Sequence, residues 1–222
     1  MVETKIIILD QQEIVYKIHY KRIKNCYLRV EKGEVVIRCS PMFPQSEIEK
    51  LIRNHQEEIL EQITGYIPKY NYQNGGYVYL FNQKYEIILK DMNIKKCALH
   101  DHQIYVYSKN IQATIEMFLK QELMNYLKER IDFYLSTSFH YAFPEIQIKK
   151  MKRRWGACFY QKNRVCFNLV LAHIDYALID YVIVHELCHF LEANHSKAFY
   201  HEIEKRMPDY KERERLLKDV GI

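Results

Sequence analysis

The chain has 222 residues, 48% of them hydrophobic and 27% charged, a composition that is ordinary for a globular protein with a sizeable core. Its net charge of +5 is too small to indicate a nucleic-acid partner by itself. The sequence has no apolar run long enough to cross a membrane, no cleavable signal pattern and no C-x-x-C pair among its six cysteines, which argues against a membrane protein or a disulfide scaffold and favours the reducing cytoplasm.

The first part of the chain alternates apolar and polar residues, a pattern typical of short antiparallel strands. The alternation runs through residues 1–43, and Lys32-Gly33 supplies a turn. Basic residues are interleaved with these strands: Lys17, Lys21, Arg22, Lys24, Arg29 and Arg38. Such charges usually belong to a solvated sheet face, and a contact surface for an acidic ligand is the alternative. Pro44 to Ile63 then has the apolar spacing of one amphipathic helix.

The middle of the chain predicts a loop, four short strands and a long helix. Gly65 to Gly76 is the loop, and residues 77–90 are expected to form a hairpin with Asn82-Gln83 at its tip. Residues 97–107 add two strands around His100-Asp101-His102, which we interpret as turn residues. The long helix runs from Ile111 to about Tyr141. We therefore expect a β-rich domain over residues 1–110 and a second domain over residues 111–222.

A basic cluster precedes a tryptophan–glycine pair in the second domain. The cluster comprises Lys149, Lys150, Lys152, Arg153 and Arg154. Trp155 and Gly156 follow, and Gly156 is expected either to let a substrate backbone approach closely or to form a bend. Arg153 and Arg154 could hold an oxyanion or a phosphate, although charges on strands are more often solvated. These two arginines, Trp155 and Gly156 are the candidate substrate-binding residues.

The clearest chemical signal is the sequence His185-Glu186-Leu187-Cys188-His189. It lies in an apolar run of helical character, where residues four apart share one face, so His185 and His189 project together. Two imidazoles on adjacent turns can bind one Zn²⁺, and Glu186 is then placed to take a proton from a metal-bound water. Hydrogen-bonded core histidines are the alternative interpretation, because a motif this short can arise by chance.

His195 is the candidate third ligand. It follows Ala193-Asn194, where the helix is expected to stop because Asn tolerates the left-handed conformation. Three protein ligands with one open position is the catalytic form of a zinc site, whereas a structural site uses four. Glu192 is the main rival for this role. After His195, Ser196 is expected to cap a further helix, which ends at Pro208-Asp209-Tyr210. A last, charged helix is expected over Lys211 to Val220.

Taken together, these motifs resemble the YgjP-like zinc metallopeptidase family, which is related to the SprT and WLM-type zincins. The resemblance is carried by five stretches: Arg154–Cys158, Asn168–Leu171, Asp180–His189, Asn194–Ser196 with Phe199, and Met207–Tyr210. It implies that His185, His189 and His195 bind zinc and that Glu186 is the catalytic base. It differs at Ala157, where the family usually has Ser.

The expected fold class is α+β. An N-terminal antiparallel β-rich region with one helix would precede a zincin-like metallopeptidase domain whose H-E-x-x-H helix packs on a small sheet. The first functional hypothesis is a zinc-dependent peptidase acting on a peptide or protein substrate. The alternatives are a metal-dependent nucleotide pyrophosphohydrolase, which would use the basic cluster to hold phosphates, and a DNA-associated module with a structural metal, which has weaker support.

Overall fold

The computed structural model describes residues 2–9, 12–31, 33–64, 70–92 and 94–220. The expected turn residue Lys32 and the first part of the expected loop, residues 65–69, lie outside the described residues. The chain divides into two compact units, Met1–Pro68 and Lys69–Ile222. This division lies earlier in the chain than the expected boundary between residues 110 and 111.

The first unit is a four-stranded sheet with two helices. Its strands are β1 (Val2–Leu9), β2 (Gln12–Tyr20), β3 (Tyr27–Glu31) and β4 (Glu34–Cys39), in the order β1-β2-β4-β3. The pairs β1/β2 and β3/β4 are antiparallel, as predicted, but β2 and β4 run parallel. The alternation of the sequence produces one buried sheet face, because successive side chains of a strand point to opposite sides.

The predicted single helix of this unit is two helices, α1 (Gln45–Asn54) and α2 (Gln56–Thr64). His55 leaves the helical conformation between them, and its Nδ1 lies 3.0 Å from the carbonyl oxygen of Leu51. The helices and the sheet share a small apolar core: Ile7, Leu9, Ile14, Tyr16, Ile18, Val35, Ile37, Cys39, Ile48, Ile52 and Ile59.

The basic residues of the first sheet include two with acidic partners. Lys17 lies 2.6 Å from Glu34, and the Arg38 guanidinium binds both carboxylate oxygens of Glu31 at 2.8 and 2.9 Å. Each pair joins neighbouring elements of the sheet in the manner of a solvated face, where an ion pair adds little stability.

The second unit begins with a five-stranded sheet. Its strands are β5 (Tyr70–Asn71), β6 (Tyr77–Leu80), β7 (Gln83–Leu89), β8 (Lys96–His100) and β9 (Gln103–Tyr107), in the order β5-β6-β7-β9-β8. Phe81 and Asn82 form the turn of the predicted hairpin, and both have positive φ, at 49° and 67°. This is the pattern of a two-residue hairpin turn, and it places the tip one residue earlier than expected. Asp101 and His102 form the turn between β8 and β9.

A long helix leads to a third sheet. Helix α3 (Ile111–Tyr134) is capped by the side chain of Asn110, which accepts from the Ala113 N–H, and it continues as a π-helical turn to Phe139. The sheet consists of β10 (Glu145–Lys149), β11 (Gly156–Phe159) and β12 (Arg164–Asn168), in the order β10-β12-β11. Because β11 pairs only with β12 in this sheet, it is an edge strand.

Asn168 holds the segment that enters β11. Its side chain is fully buried, and its amide donates to the carbonyl oxygens of Met151 and Arg154 at 2.8 Å each. Its Oδ1 accepts from the Met151 N–H at 3.2 Å. A buried amide with its donors and acceptor in use fixes the backbone around it, so the entry to β11 has a defined path.

Three helices complete the second unit: α4 (Tyr176–Cys188), α5 (Lys197–Arg206) and α6 (Tyr210–Val220). Asp175 caps α4 by accepting from the Ala177 N–H, and Ser196 caps α5 as predicted by accepting from the Phe199 N–H. Helix α4 is buried over nearly all of its residues, and it contacts β11, α3, α5 and α6. Among the described residues, the helices are too short or too polar to cross a membrane.

The core of the second unit explains why the division falls at residue 68. Buried residues of the strands over 77–107, such as Val78, Ile87 and Val106, belong to the same apolar cluster as Ile183 and Leu187 of α4. The strands that the sequence assigns to an N-terminal domain therefore share their core with the motif helix. Contacts between residues this distant in sequence are not encoded in local periodicity.

Candidate metal centre

The three predicted histidines converge. His185 lies in the last turn of α4, His189 caps its C-terminus, and His195 lies in the segment before α5. One ring nitrogen from each of them can be chosen so that all lie within 4.8 Å of one another. The Nε2 atoms of His185 and His195 are 3.1 Å apart. Glu192, the rival for the third position, is not part of this group.

Helix α4 ends sooner than predicted. It stops at Cys188 rather than at Ala193-Asn194, because the next N–H groups turn back onto the last carbonyls. The Leu191 and Glu192 N–H groups both donate to the Cys188 carbonyl at 2.9 Å. The turn after Cys188 brings the Glu192 carbonyl oxygen within 3.2 Å of His189 Nδ1. A carbonyl at Nδ1 favours the tautomer in which Nε2 is free to bind a metal.

The histidine cluster has the donor chemistry and the spacing of a divalent-metal site. Burial, together with the neighbouring imidazoles, lowers the pKa of His185 to about 3, and burial lowers the pKa of His189. Both rings are therefore neutral near pH 7, which is the form that binds metal. Two nitrogens bound to one tetrahedral zinc lie about 3.3 Å apart, close to the spacing of the His185 and His195 Nε2 atoms.

One buried nitrogen of this cluster has no hydrogen-bond partner. His185 Nδ1 is inaccessible to solvent and makes no hydrogen bond with the described residues. Burying a polar ring in this way costs free energy unless another interaction offsets it. A metal bound at Nε2 would leave Nδ1 as it is, so the fit to a metal rests on the three converging ring nitrogens, whose number and chemistry match a divalent-metal site.

Glu186 is held between α4 and β11. Its side chain is buried, and the backbone N–H of Cys158 donates a hydrogen bond to its carboxylate. Burial raises the pKa of Glu186 to about 8, against the lowering effects of this N–H and of the Arg154 charge. The edge strand of the third sheet therefore orients the carboxylate beside the histidine cluster.

Gly156 makes room for that carboxylate. A Cβ atom at this position would lie 2.5 Å from Glu186 Oε1 and 2.8 Å from its Cδ, which is closer than real Cβ contacts come. The sequence offered a close approach of substrate backbone or a bend as the reason for this glycine. In the structure, the missing side chain admits the side chain of Glu186.

A cavity of about 600 Å³ opens over the histidines and Glu186. Residues 154–158 and Tyr160 line it, together with Glu214, Leu217 and Lys218 of α6. Of the predicted substrate-binding residues, Arg154, Trp155 and Gly156 line it and Arg153 does not. Lys150, from the same basic cluster, lies 2.6 Å from Glu116 instead.

Sequence reasoning missed two parts of this cavity. Tyr181 lines it and packs edge to face on the ring of His185, with ring centroids 5.9 Å apart. Its spacing of four residues before His185 was a signal that could have identified it. The contribution of α6 had no such signal, because the helix comes to the cavity through tertiary packing.

Comparison with protein-family models places the chain among the metallopeptidases. The model described as YgjP-like, metallopeptidase domain, matches residues 24–220. The chain therefore belongs to the YgjP-like metallopeptidase family, which confirms the resemblance that its motifs indicate. A metallopeptidase is a hydrolase of peptides or proteins that uses a divalent metal.

Two solved structures are similar to part of the chain. One is the crystal structure of the metallopeptidase zymogen of Pyrococcus abyssi abylysin, with 17% identity, a TM-score of 0.39, and coverage of 42% of this chain and 94% of that chain. The other is the metallopeptidase zymogen of Methanocaldococcus jannaschii jannalysin, with 24% identity, a TM-score of 0.38, and coverage of 42% and 96%. TM-scores this low do not establish a shared fold. No curated protein matches the chain.

Proposed function

We propose that this protein is a zinc-dependent peptidase in which Glu186 is the general base. The observation that carries the proposal is the convergence of His185, His189 and His195 beside the buried carboxylate of Glu186, at the base of an open cavity. Membership of a metallopeptidase family supports the same reaction class.

His185, His189 and His195 would hold the metal. Three imidazoles suit zinc, and a group of three leaves a position for water or substrate, as in catalytic sites. When bound, zinc would polarise the scissile carbonyl and lower the pKa of the attacking water. Among the described residues, the cluster has three histidines and no fourth ligand, which speaks against a purely structural metal.

Glu186 would move the proton. Its carboxylate would accept a proton from the attacking water and pass it to the leaving amine. The Cys158 N–H binds this carboxylate, and the absence of a side chain at Gly156 leaves room for it. The carboxylate is therefore already oriented before the substrate binds, and no conformational entropy is lost in orienting it during the reaction.

Strand β11 would bind the peptide backbone. Within its sheet it pairs only with β12, so the part of its other edge that Glu186 does not occupy can hydrogen-bond an extended peptide as an added strand. Arg154 lines the cavity near this strand and is the candidate for a contact with the substrate carbonyl. Arg153 does not line the cavity and drops out of this role.

The nucleotide alternative has less support from the cavity. It requires the basic cluster to hold phosphates, and of residues 149–154 only Arg154 is among those that line the cavity. Nucleoside triphosphates are therefore the second class of substrate to be tested, after peptides.

The Glu186→Gln variant tests the proposal. We expect it to keep its zinc, measured by elemental analysis, and to lose at least about 100-fold in the rate of peptide cleavage, since a general base contributes on this order. Full peptidase activity in this variant would contradict the proposed base. Zinc-dependent cleavage of nucleoside triphosphates, with no peptide cleaved by the wild type, would replace the proposal with its alternative.

A further inference from the structure

The structure assigns a specificity site to the last helix: we propose that Glu214 of α6 selects peptides with a lysine or arginine side chain close to the scissile bond. The inference rests on the proposed peptidase function and adds the substrate class. It concerns the wall of the cavity that lies across from β11.

The position of α6 puts it within reach of a bound peptide. Strand β11 and helix α6 both pack against α4, and residues of both line the same cavity as the histidine cluster. A peptide that adds to the edge of β11 would point alternate side chains away from the sheet. A long side chain directed across the cavity would therefore meet α6.

The cavity also has an apolar part, contributed by α4 and α6. Val182 of α4 and Leu217 of α6 line the cavity and are nearly completely buried, at 2% and 5% exposed. The methylene stem of a lysine or arginine can lie along such a surface while its charged head reaches a polar group at the rim. A short polar side chain would leave this apolar surface uncovered.

Glu214 is the polar group at that rim. Burial raises the pKa of Tyr181, and the negative charge of Glu214 adds to the rise, so the carboxylate lies close to this phenol. Tyr181 in turn packs on His185. Glu214, Tyr181 and His185 also line one cavity, which brings the proposed contact near the histidine cluster.

The present partner of Glu214 is weakly held. Lys218, one turn further along α6, has its Nζ 3.2 Å from Glu214 Oε1, and the two side chains are 70% and 31% exposed. Exposed pairs of this kind exchange easily with solvent and with other charges. The cation of a substrate could replace Lys218 without leaving a buried charge unpaired.

The charged side chains that line the cavity, besides its histidines, are Arg154, Glu186, Glu214 and Lys218, and Lys218 must leave Glu214 before a substrate cation can take its place. The carboxylates that line it are Glu186 and Glu214, and Glu186 is buried against β11. Arg154 lies on the β11 side and would repel a substrate cation there. The arrangement therefore predicts that the preferred substrate side chain is positively charged and that it binds to α6.

The test is a comparison of matched peptides. A peptide that the wild type cleaves is prepared with Lys, Gln or Glu at each position around the scissile bond, and kcat/KM is measured for the wild type, Glu214→Gln and Glu214→Lys. At one position, the wild type is expected to prefer Lys over Glu by about fivefold, as a partly exposed charge contact allows. Glu214→Gln should remove this preference, and Glu214→Lys should reverse it. Binding of the same peptides to the inactive Glu186→Gln protein should show the same order in Kd.

Glu212→Lys is the matched control. Glu212 lies on the same helix, is exposed and does not line the cavity, so its reversal should leave the order of the peptides unchanged. Zinc content and thermal unfolding should match the wild type in all of these variants. Cleavage with the same order of peptides in Glu214→Lys as in the wild type would overturn the specificity site alone. Failure of the wild type to cleave any peptide would overturn the proposed function and the specificity site with it.

Discussion

The two ends of helix α4 carry buried polar groups that differ in how completely they are bonded. Near its start, the Asp180 carboxylate accepts from the Tyr126 hydroxyl at 2.8 Å, from the Tyr134 hydroxyl at 3.1 Å and from Arg130 Nη2 at 2.7 Å. Near its end, His185 Nδ1 has no partner among the described residues, and the Nε2 atoms of His185 and His195 face each other 3.1 Å apart. One helix therefore carries a carboxylate whose hydrogen-bonding capacity is used and an imidazole whose hydrogen-bonding capacity is only partly used.

The difference suggests that Asp180 contributes to the stability of the fold, whereas the histidines contribute to metal binding. A buried carboxylate with a bidentate arginine and two hydroxyl donors has no capacity left for a ligand, and its role is to join α4 to α3. Three imidazoles whose ring nitrogens lie within 4.8 Å of one another can instead bind a divalent metal ion. Variants at the two ends should consequently separate loss of metal from loss of folding.

The largest effect is expected for His195→Ala, which removes one of the three histidines that converge at the C-terminal end of α4. Loss of a ligand should lower zinc affinity by more than about 100-fold, because even changes outside the ligand shell cost 10–100-fold. Peptide cleavage should fall below detection at limiting zinc, while the unfolding of the metal-free protein is unchanged because this side chain is exposed. Zinc titration with a competing chelator gives the affinity.

Glu192→Gln is the control for that variant, since Glu192 was the rival third ligand. It lies outside the histidine group and should bind zinc as the wild type does. Loss of zinc in Glu192→Gln, with zinc retained in His195→Ala, would exchange the two assignments and would mean that the segment after α4 rearranges on binding metal.

The second-largest effect is expected for Asp180→Asn, near the N-terminal end of α4. This change leaves the half-buried Arg130 charge without its counter-ion. Breaking a fully buried pair costs about 3–5 kcal/mol of unfolding free energy, and the 25% exposure of Arg130 puts the expected loss at or below the lower end of that range. Urea denaturation measures the loss. The exposed pair Asp219–Arg215 is a control, because Arg215→Ala should cost less than about 1 kcal/mol. If Asp180→Asn lost zinc with no loss of stability, the two ends of the helix would not be separable in this way.

How much of this site could be predicted depends on sequence distance. His185, Glu186 and His189 were predicted because one helical turn brings them together, and His195 because the chain reverses shortly after them. The fit of Glu186 against Gly156 and the approach of Glu214 join residues about thirty positions apart, and no local pattern encodes them. The same limit applies to the expected domain boundary, since strands over 77–107 join the core of α4 through long-range packing.

The smallest of the three effects is expected for Gly156→Ala, and it tests the contact that sequence reasoning explained differently. The new methyl group would overlap the Glu186 carboxylate, at 2.5 Å from Oε1, so that carboxylate must shift away from β11 and from the Cys158 N–H. We expect kcat to fall by about 10–100-fold, since a small misplacement of a positioned group has effects of this size. Zinc affinity should not change, because the histidines do not contact the added group, and Gly156→Ser should lose more activity than Gly156→Ala. A rise in KM with kcat unchanged would instead favour the first interpretation, in which the glycine lets the substrate backbone approach.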